Sequence, residues 1–528
     1  MSHHKVRVAL LLLTQAKSLT SSGSAQLLRY VSGLVNDRLY VAVEQSAVTK
    51  PESLFDFAAS FYTHAHAICS QLDVRILVNN LKSNLPQQSV HSKRCYDQVF
   101  LDDSAAASVS YLVPSNTKTL CVPDDRSVCD ASAEVLAPCL PLLQCLPGCE
   151  AMASPGFYDG VVLGGTFDRL HNGHKILLSA AALLSSRKFC CGVTDGPMLD
   201  NKLLNELIEP IQERIDSVLE FVQDIDPSLT CKVVPILDPY GPSIVDTDLD
   251  CIIASKETER GAHRVNEKRT AKKLSKLSVF IIGLAEEESD LCDETKISSS
   301  KNRRRLLGSL LKCPTPKPLV SRPYVVGLSG GIASGKTKIC KYLSNYGAEV
   351  IDCDALAHQV YLPNTEIYHK LIETFGKQIV GQADGKIDRK VLGSIVFEDE
   401  VERHKLNRIV WPAIRERVDQ QIATSKEAVV VLDAALLLEA GWETVTDEVW
   451  VAVVPRKEAV TRLVHRNNLS QQQAEQRVVS QLTNSQRVAQ ANVVFCSVWD
   501  YDVTEAQVKR AWNDLQTRLR QRKFDRLG

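Results

Sequence analysis

Two short stretches of this chain carry residues suited to handling phosphate. In the first, Gly164-Gly165-Thr166-Phe167-Asp168-Arg169-Leu170-His171-Asn172-Gly173-His174 follows the apolar run Val161–Leu163 and opens a helix at Lys175. A glycine turn before a helix aims backbone N–H groups, the positive end of the helix dipole and here two imidazoles at one point, where phosphate charge is stabilised. Two histidines three apart are also compatible with a metal pair, but nothing nearby completes a zinc set. The second stretch is Gly330-Gly331-Ile332-Ala333-Ser334-Gly335-Lys336-Thr337, after the apolar run Tyr324–Leu328 and before a helical pattern bearing Ile339 and Leu343. It satisfies G-x-x-x-x-G-K-[ST] in the strand–loop–helix setting that motif requires. Its glycines let a triphosphate approach converging N–H groups, Lys336 can bridge the β- and γ-phosphates of ATP, and the Thr337 hydroxyl can hold Mg²⁺. Downstream, Val350-Ile351-Asp352-Cys353-Asp354 ends a strand in two carboxylates, at the edge where a doubly wound sheet keeps its ligand crevice. One can take a proton from a hydroxyl acceptor while the other, Asp352, helps hold the metal. Taken alone, a solvated strand-end turn would look the same.

Alternating strand and helix signals must hold these groups, the pattern of α/β folds with parallel sheets. Two stretches read as linkers: Cys129 to Pro155, without periodicity, and Glu286 to Pro323, an acidic run followed by serines, basic residues and prolines. They divide the 528 residues into blocks at 1–150, 155–310 and 322–528. In the first block the helical face Leu27, Leu28, Val31, Leu34 and Val35 lies between strands Val6–Leu13 and Leu39–Val43, with another strand at Val74–Val78. The second has strands at Val161–Leu163, Cys190–Val193, Lys232–Ile236, Cys251–Ala254 and Val279–Ile282; the third at Tyr324–Leu328, Glu349–Ile351, Ala428–Leu432 and Val449–Val454. The chain ends in a helix with Thr504 and Gln507 as its capping box and Val508, Ala511, Trp512 and Leu515 as its stripe. No internal repeat is evident.

Composition limits the partners. Sixty-two Lys+Arg against 63 Asp+Glu leave a net charge of -1, which argues against a protein that coats nucleic acid or an anionic membrane. The run Val8–Leu13 is far short of the roughly 20 apolar residues of a membrane span. The 16 cysteines include no Cys-x-x-Cys pair, so reduced thiols in the cytoplasm are the better reading. The first 36 residues contain basic residues and serines but no acid, as in a mitochondrial presequence, although Val6–Leu13 fits a buried strand equally well.

Beyond the phosphate loop, Val350 to His358, Gly385 to Leu392, Leu406 to Ile414 and Leu432 to Glu439 resemble the dephospho-CoA kinase family. The resemblance implies Lys336 and Asp354 as catalytic groups, with Asp354 the base for a ribose 3′-hydroxyl, residues 330–337 as the ATP loop, and Arg462, Arg466 and Arg477 as lid arginines. Trp411 stands where that family usually has His, and Ala435 where it usually has Pro, which puts substrate contacts in doubt.

The string Gly165 to His174 resembles the signature of the HIGH nucleotidyltransferases. Lys296-Ile297-Ser298-Ser299-Ser300-Lys301-Asn302-Arg303 resembles their second motif, in which hydroxyls and N–H groups hold ATP phosphates. Ile253 to Gly261, Leu237 to Pro242 and Leu203 to Ile215 resemble the phosphopantetheine adenylyltransferase branch of eukaryotes and archaea. That resemblance implies Gly165, Thr166, His171, Ser298, Ser299, Ser300 and Arg303 in nucleotide binding and His174, Lys202 and Arg260 in catalysis.

The expected architecture is therefore a HIGH-type, Rossmann-like nucleotidyltransferase domain followed by a P-loop kinase domain, with an additional N-terminal α/β region. That order resembles the bifunctional coenzyme A synthases and implies ATP, 4′-phosphopantetheine and dephospho-CoA as substrates. Two alternatives stay open: other acceptors for both enzymes, or one half serving as a non-catalytic binding module. The first block can equally be an interaction or membrane-tethering module for a protein partner. Its Tyr62-Thr63-His64-Ala65-His66 is no ligand pair, because helical residues two apart do not share a face.

Overall fold

The computed structural model describes residues 5–44, 53–78, 81–82, 96–102, 118–122, 143–145, 157–282, 299–315, 317, 323–382, 384–467 and 469–524. The chain divides into two compact units, Met1–Lys301 and Asn302–Gly528.

In the first unit, β1 (Val6–Leu13), β2 (Val35–Val43), β3 (Asp73–Ile76), β4 (Gln98–Leu101) and β5 (Lys118–Cys121) form a parallel sheet of order β3-β2-β1-β4-β5. Ala9 to Leu13 of β1 are all fully buried, as expected of a strand covered on both faces. Helices α1 (Ser21–Ser32) and α2 (Ser53–Cys69) connect its first three strands. The run Val6–Leu13 thus takes the strand reading.

A second sheet follows from β6 (Leu143–Cys145), β7 (Tyr158–Gly165), β8 (Ser185–Thr194), β9 (Thr230–Ile236), β10 (Cys251–Ser255) and β11 (Ser278–Ile282), in the order β6-β11-β10-β7-β8-β9. Its helices are α3 (Asn172–Leu184), α4 (Ile211–Ile225) and α5 (Glu259–Ala271).

The blocks 1–150 and 155–310 are not separate bodies. One apolar core runs from Leu11, Leu28 and Phe61 to Ile176, Leu183 and Val218, and β6, inside the stretch expected to be a linker, pairs antiparallel with β11. The downstream boundary moves as well. The division between units falls inside α6 (Ser299–Leu306), and residues 308–311 join the second unit. There Gly308 N–H donates to Val494 O at 2.9 Å, Leu310 bridges Val493 and Leu311 N–H donates to Asn492 O at 2.7 Å, so the expected linker protects the edge of a sheet.

That third sheet contains β12 (Tyr324–Gly330), β13 (Glu349–Asp352), β14 (Val429–Asp433), β15 (Glu448–Val453) and β16 (Val493–Cys496), all parallel, in the order β13-β14-β12-β15-β16. Around it run α7 (Lys336–Asn345), α8 (Cys353–Val360), α9 (Glu366–Phe375), α10 (Arg389–Glu398), α11 (Glu400–Thr424), α12 (Arg456–Asn467), α13 (Gln471–Val479), α14 (Asn484–Gln490) and α15 (Tyr501–Phe524). The expected capping box at the last helix is not one. The helix already begins at Tyr501, Thr504 is buried inside it, and Gln507 instead bonds both Cys496 N–H (2.9 Å) and Cys496 O (3.1 Å) on β16. The apolar stripe holds: Val508, Ala511 and Leu515 are buried.

Glu448, fully buried at the start of β15, is held by Tyr324 Oη at 2.7 Å, Trp450 Nε1 at 2.8 Å and the guanidinium of Arg518 on α15. Arg518→Met removes the cation and leaves a buried carboxylate short of charge, at a cost of about 3 kcal/mol. All five tryptophans lie between Trp411 and Trp512, so their fluorescence reports the second unit alone. Its melting temperature is expected to fall by several degrees; an unchanged melt refutes the assignment.

Candidate active sites

In the first unit, β7 ends at Gly165 and the chain turns through Phe167 (φ 49°) and Arg169 (φ 47°) into α3. The turn is locked from below. Asp168, 1% exposed, accepts from Arg169 Nη1 and Glu209 N–H, so it is a structural carboxylate. Arg214 is as deeply buried and donates to the carbonyls of Thr166 (2.9 Å) and Thr194 (2.7 Å), while Thr194 Oγ1 reaches Thr166 Oγ1 at 3.1 Å.

His171 is the N-cap of α3, its Nδ1 accepting from His174 N–H at 3.4 Å. That leaves the His171 proton on Nε2, which faces Ser299 Oγ at 3.2 Å. The His174 ring stacks on His171 with centroids 3.8 Å apart, and its Nε2 lies 3.4 Å from the same hydroxyl. Burial, with His66 adding to it, pushes the His171 pKa down to about 4; burial, His171 and Lys202 hold His174 well below its ordinary value. Both imidazoles are therefore neutral near pH 7 and act as hydrogen-bond donors rather than as cations. Positive charge falls to Lys202, close enough to be felt at His174. His174 Nδ1 is buried with no partner among the described residues.

In the second unit, β12 runs into the loop 330–337, shaped by positive φ at Ala333 (61°) and Gly335 (87°). A side chain at Gly330 would put its Cβ 2.6 Å from Ala452 O, so glycine is required there. Lys336 Nζ stands 3.5 Å from Asp433 Oδ1. Arg462 faces the back of the loop, donating to Ala333 O (3.1 Å) and to Ser497 Oγ (2.8 Å), and Ser497 Oγ donates in turn to Ser334 O. Ile332 N–H is already taken, by Gln481 Oε1 at 2.8 Å. Arg487, 1% exposed, pairs with Glu439 at 3.1 Å beside Gly331.

Asp352 caps α8 by accepting from Ala355 N–H at 2.8 Å and pairs in register with Asp433 on β14. Asp354, in the first turn of α8, opens on a cavity of about 190 Å³ walled by Tyr361, Leu392, Val410, Trp411, Leu436 and Trp442. Desolvation, with Asp433 and Asp352 adding to it against Lys336, raises the Asp354 pKa above the usual carboxylate range. Cys353, on the same cavity, is no nucleophile: burial pushes its pKa up to about 12.

The structure thus brings Gly165, Thr166, His171, His174, Ser299 and Lys202 to one turn, and Lys336, Thr337, Asp352 and Asp354 to one crevice. Arg260 is exposed in the first turn of α5, Ser300 is exposed on α6 and Ser298 lies outside the described residues. Arg303 is buried further along α6 and counts with the second unit. Arg466 and Arg477 are exposed on α12 and α13. Trp411 takes a place on the cavity wall, which it makes more apolar. Sequence reasoning gave no role to Arg214, Gln481, Arg487 or Asp433. Only Asp433, a carboxylate closing a strand, left a readable sign.

The dephospho-CoA kinase family profile matches residues 324–497, and the cytidylyltransferase-like profile matches 162–305. Dephospho-CoA kinases of Symbiobacterium thermophilum and Moorella thermoacetica are 38% and 37% identical over 191 and 200 residues, covering 36% and 37% of this chain and 80% and 94% of their own. That of Geobacter sulfurreducens is 39% identical over 191 residues, covering 36% of this chain and 96% of its own. A lysine-bearing phosphate loop, a carboxylate on an apolar cavity and this degree of identity agree: over residues 324–497 the chain belongs to the dephospho-CoA kinase family, joined upstream to a cytidylyltransferase-like domain.

Proposed function

We propose that the chain performs two successive steps, adenylyl transfer from ATP to 4′-phosphopantetheine and then phosphorylation of the dephospho-CoA so formed. The observation that carries this reading is the fusion itself: a nucleotidyltransferase-type turn is joined to a kinase domain whose substrate is the product of that transfer.

In the first step an oxygen of the acceptor's 4′-phosphate attacks the α-phosphorus of ATP and pyrophosphate leaves. The acceptor is ionised at pH 7, so alignment and charge stabilisation suffice. His174 and Thr166 donate hydrogen bonds to the reacting phosphates, Lys202 and Arg260 supply positive charge, and Ser298, Ser299 and Ser300 hold the rest of the triphosphate.

In the second step Asp354 takes the proton of the ribose 3′-hydroxyl, the freed oxygen attacks the γ-phosphorus and ADP leaves. Lys336 and the loop amides bind the phosphates, Arg466 approaches from the lid, and the apolar cavity takes the uncharged arm of the acceptor. Mg²⁺ fits the donor set, since the Thr337 hydroxyl and the Asp352 and Asp433 carboxylates are the hard oxygens it prefers. When bound, it would offset phosphate charge. Thr337, Asp352 and Asp433 would hold it, Asp352 while capping α8 through its Oδ1.

Reciprocal variants test the two-site reading. His174→Ala is expected to lower dephospho-CoA formation about 10²–10³-fold while phosphorylation of supplied dephospho-CoA continues. Asp354→Asn is expected to accumulate dephospho-CoA, its second step slowed about 10²–10⁴-fold with MgATP affinity retained. Equal loss of both activities in a folded variant would sink the reading.

The pH profile follows from the raised Asp354 pKa. The ionised form is the base, so the kinase rate falls as pH drops through that pKa, and the acid limb lies above the usual carboxylate range. A rate that does not fall toward acid pH removes Asp354 from the base role.

A further inference from the structure

The first sheet repeats the plan of the second. Reading from each central strand, β3-β2-β1-β4-β5 and β9-β8-β7-β10-β11 have the same strand order. Strands β1 and β7 are both eight residues long, and each slips register against the next strand at the same place, between Val6 and Val8 and between Tyr158 and Gly160. Each strand is followed by a threonine, Thr14 or Thr166, and then, in the first sheet after a 3-10 turn at Ala16–Leu19, by an α-helix whose N-cap side chain, Thr20 or His171, accepts the N–H of the third helical residue.

What the first sheet lacks is the chemistry. Thr20 and Gly23 stand where the second has His171 and His174. The Asp102 carboxylate already accepts from Thr14 N–H (2.9 Å), the Thr14 hydroxyl (2.7 Å) and Gln15 N–H (3.1 Å), the very donors a phosphate would need.

Its contacts lead instead to α3. Tyr62 of α2 is fully buried; its hydroxyl accepts from Ile76 N–H at 3.0 Å and lies 3.3 Å from Ser179 Oγ on α3, and its carbonyl accepts from Asn172 Nδ2 at 3.1 Å. Lys175, directly after His174 and 6% exposed, donates to Asp73 Oδ1 (2.7 Å) and Val74 O (3.0 Å). The single turn that bears both imidazoles is therefore gripped at Asn172 and at Lys175 by the first sheet.

We propose that the first sheet is a nucleotide-free second copy of the nucleotidyltransferase fold whose role is to position the first turn of α3, with Tyr62, Asp73 and Lys175 as positioning residues for His174. The proposal rests on the reading of that turn as the adenylyl-transfer site.

The test uses the full-length chain with Asp73→Asn, Lys175→Met and the pair combined. Each single variant is expected to lower kcat for adenylyl transfer about tenfold, with KM for ATP and kinase turnover unchanged. Asp73 also accepts from Arg38 Nε and Arg75 Nε, and an asparagine there keeps an acceptor for them. The double variant is relieved of a buried Lys175 without its carboxylate, so its melting temperature rises above that of Asp73→Asn while its adenylyl transfer stays slow. Recovery of the rate along with stability marks a merely structural pair and overturns the proposal, as does an unchanged rate in the folded single variants. Hydrogen exchange separates this failure from that of the functional reading. If the wild-type chain forms no dephospho-CoA, the functional reading fails, and amide exchange over 172–178 decides the positioning: about tenfold faster in the double variant upholds it, and unchanged exchange refutes it. Protection of residues 14–23 by saturating MgATP would overturn the nucleotide-free assignment; protection confined to 164–174 and 330–337 supports it.

Discussion

Each sheet depends on one seam, where the central strand meets the strand that runs off in the opposite direction. All three close it with the same device. An aspartate just before the outgoing strand gives its carboxylate to one N–H of the central strand and its own N–H to the carbonyl of that same residue. The pairs are Asp97 with Val8, Asp250 with Gly160 and Asp447 with Val325, at distances between 2.6 and 3.1 Å. Two backbone groups are satisfied where the ladder begins. The strands stay paired beyond it, and the connections part at their C-terminal ends, where the loop after each central strand meets the opening. The His171–His174 turn and the loop at Gly330–Thr337 occupy such openings; in the first sheet Asp102 fills it.

The contact between the first two sheets is unlike an ordinary domain boundary. Besides its apolar core it buries charge: Arg75 reaches Asp73, Glu220 and Asp224, and Lys82 pairs with Asp226, whose side chain is fully buried. Interactions of this kind add little net stability over an apolar surface, but they penalise any misfit strongly, because a displaced partner leaves an unpaired charge out of water. They fix one arrangement of the two sheets rather than merely favouring association.

What could be read in the sequence was what chemistry dictates at fixed spacing. A phosphate loop needs its glycines, lysine and threonine in consecutive positions, and the imidazole turn needs its histidines three apart, so both sites were legible. Long apolar strands such as Val6–Leu13 were legible too. Four-residue strands were legible unevenly, β3 and β13 being read and β4, β5 and β16 not, since so short a run carries too little periodicity to decide. Thr504 and Gln507 misled because a capping-box spacing also occurs inside helices that have already begun. Gln481 reaches Ile332 across 149 residues, which no local pattern encodes. The likeness of the first two sheets is not legible in the sequence, because register, caps and strand order recur while the residues between them differ.

The bond from Ile332 N–H to Gln481 Oε1 gives the phosphate loop an occupant before any nucleotide arrives. An N–H that already has an acceptor offers an incoming phosphate only the difference between two acceptors. A charged oxygen outcompetes a neutral amide, since charge-assisted hydrogen bonds are about twice as strong. A phosphate oxygen can take that N–H only if the Gln481 amide gives it up. Gln481 lies just beyond the end of α13, the helix that carries Arg477, so one hydrogen bond ties the phosphate loop to the end of that helix.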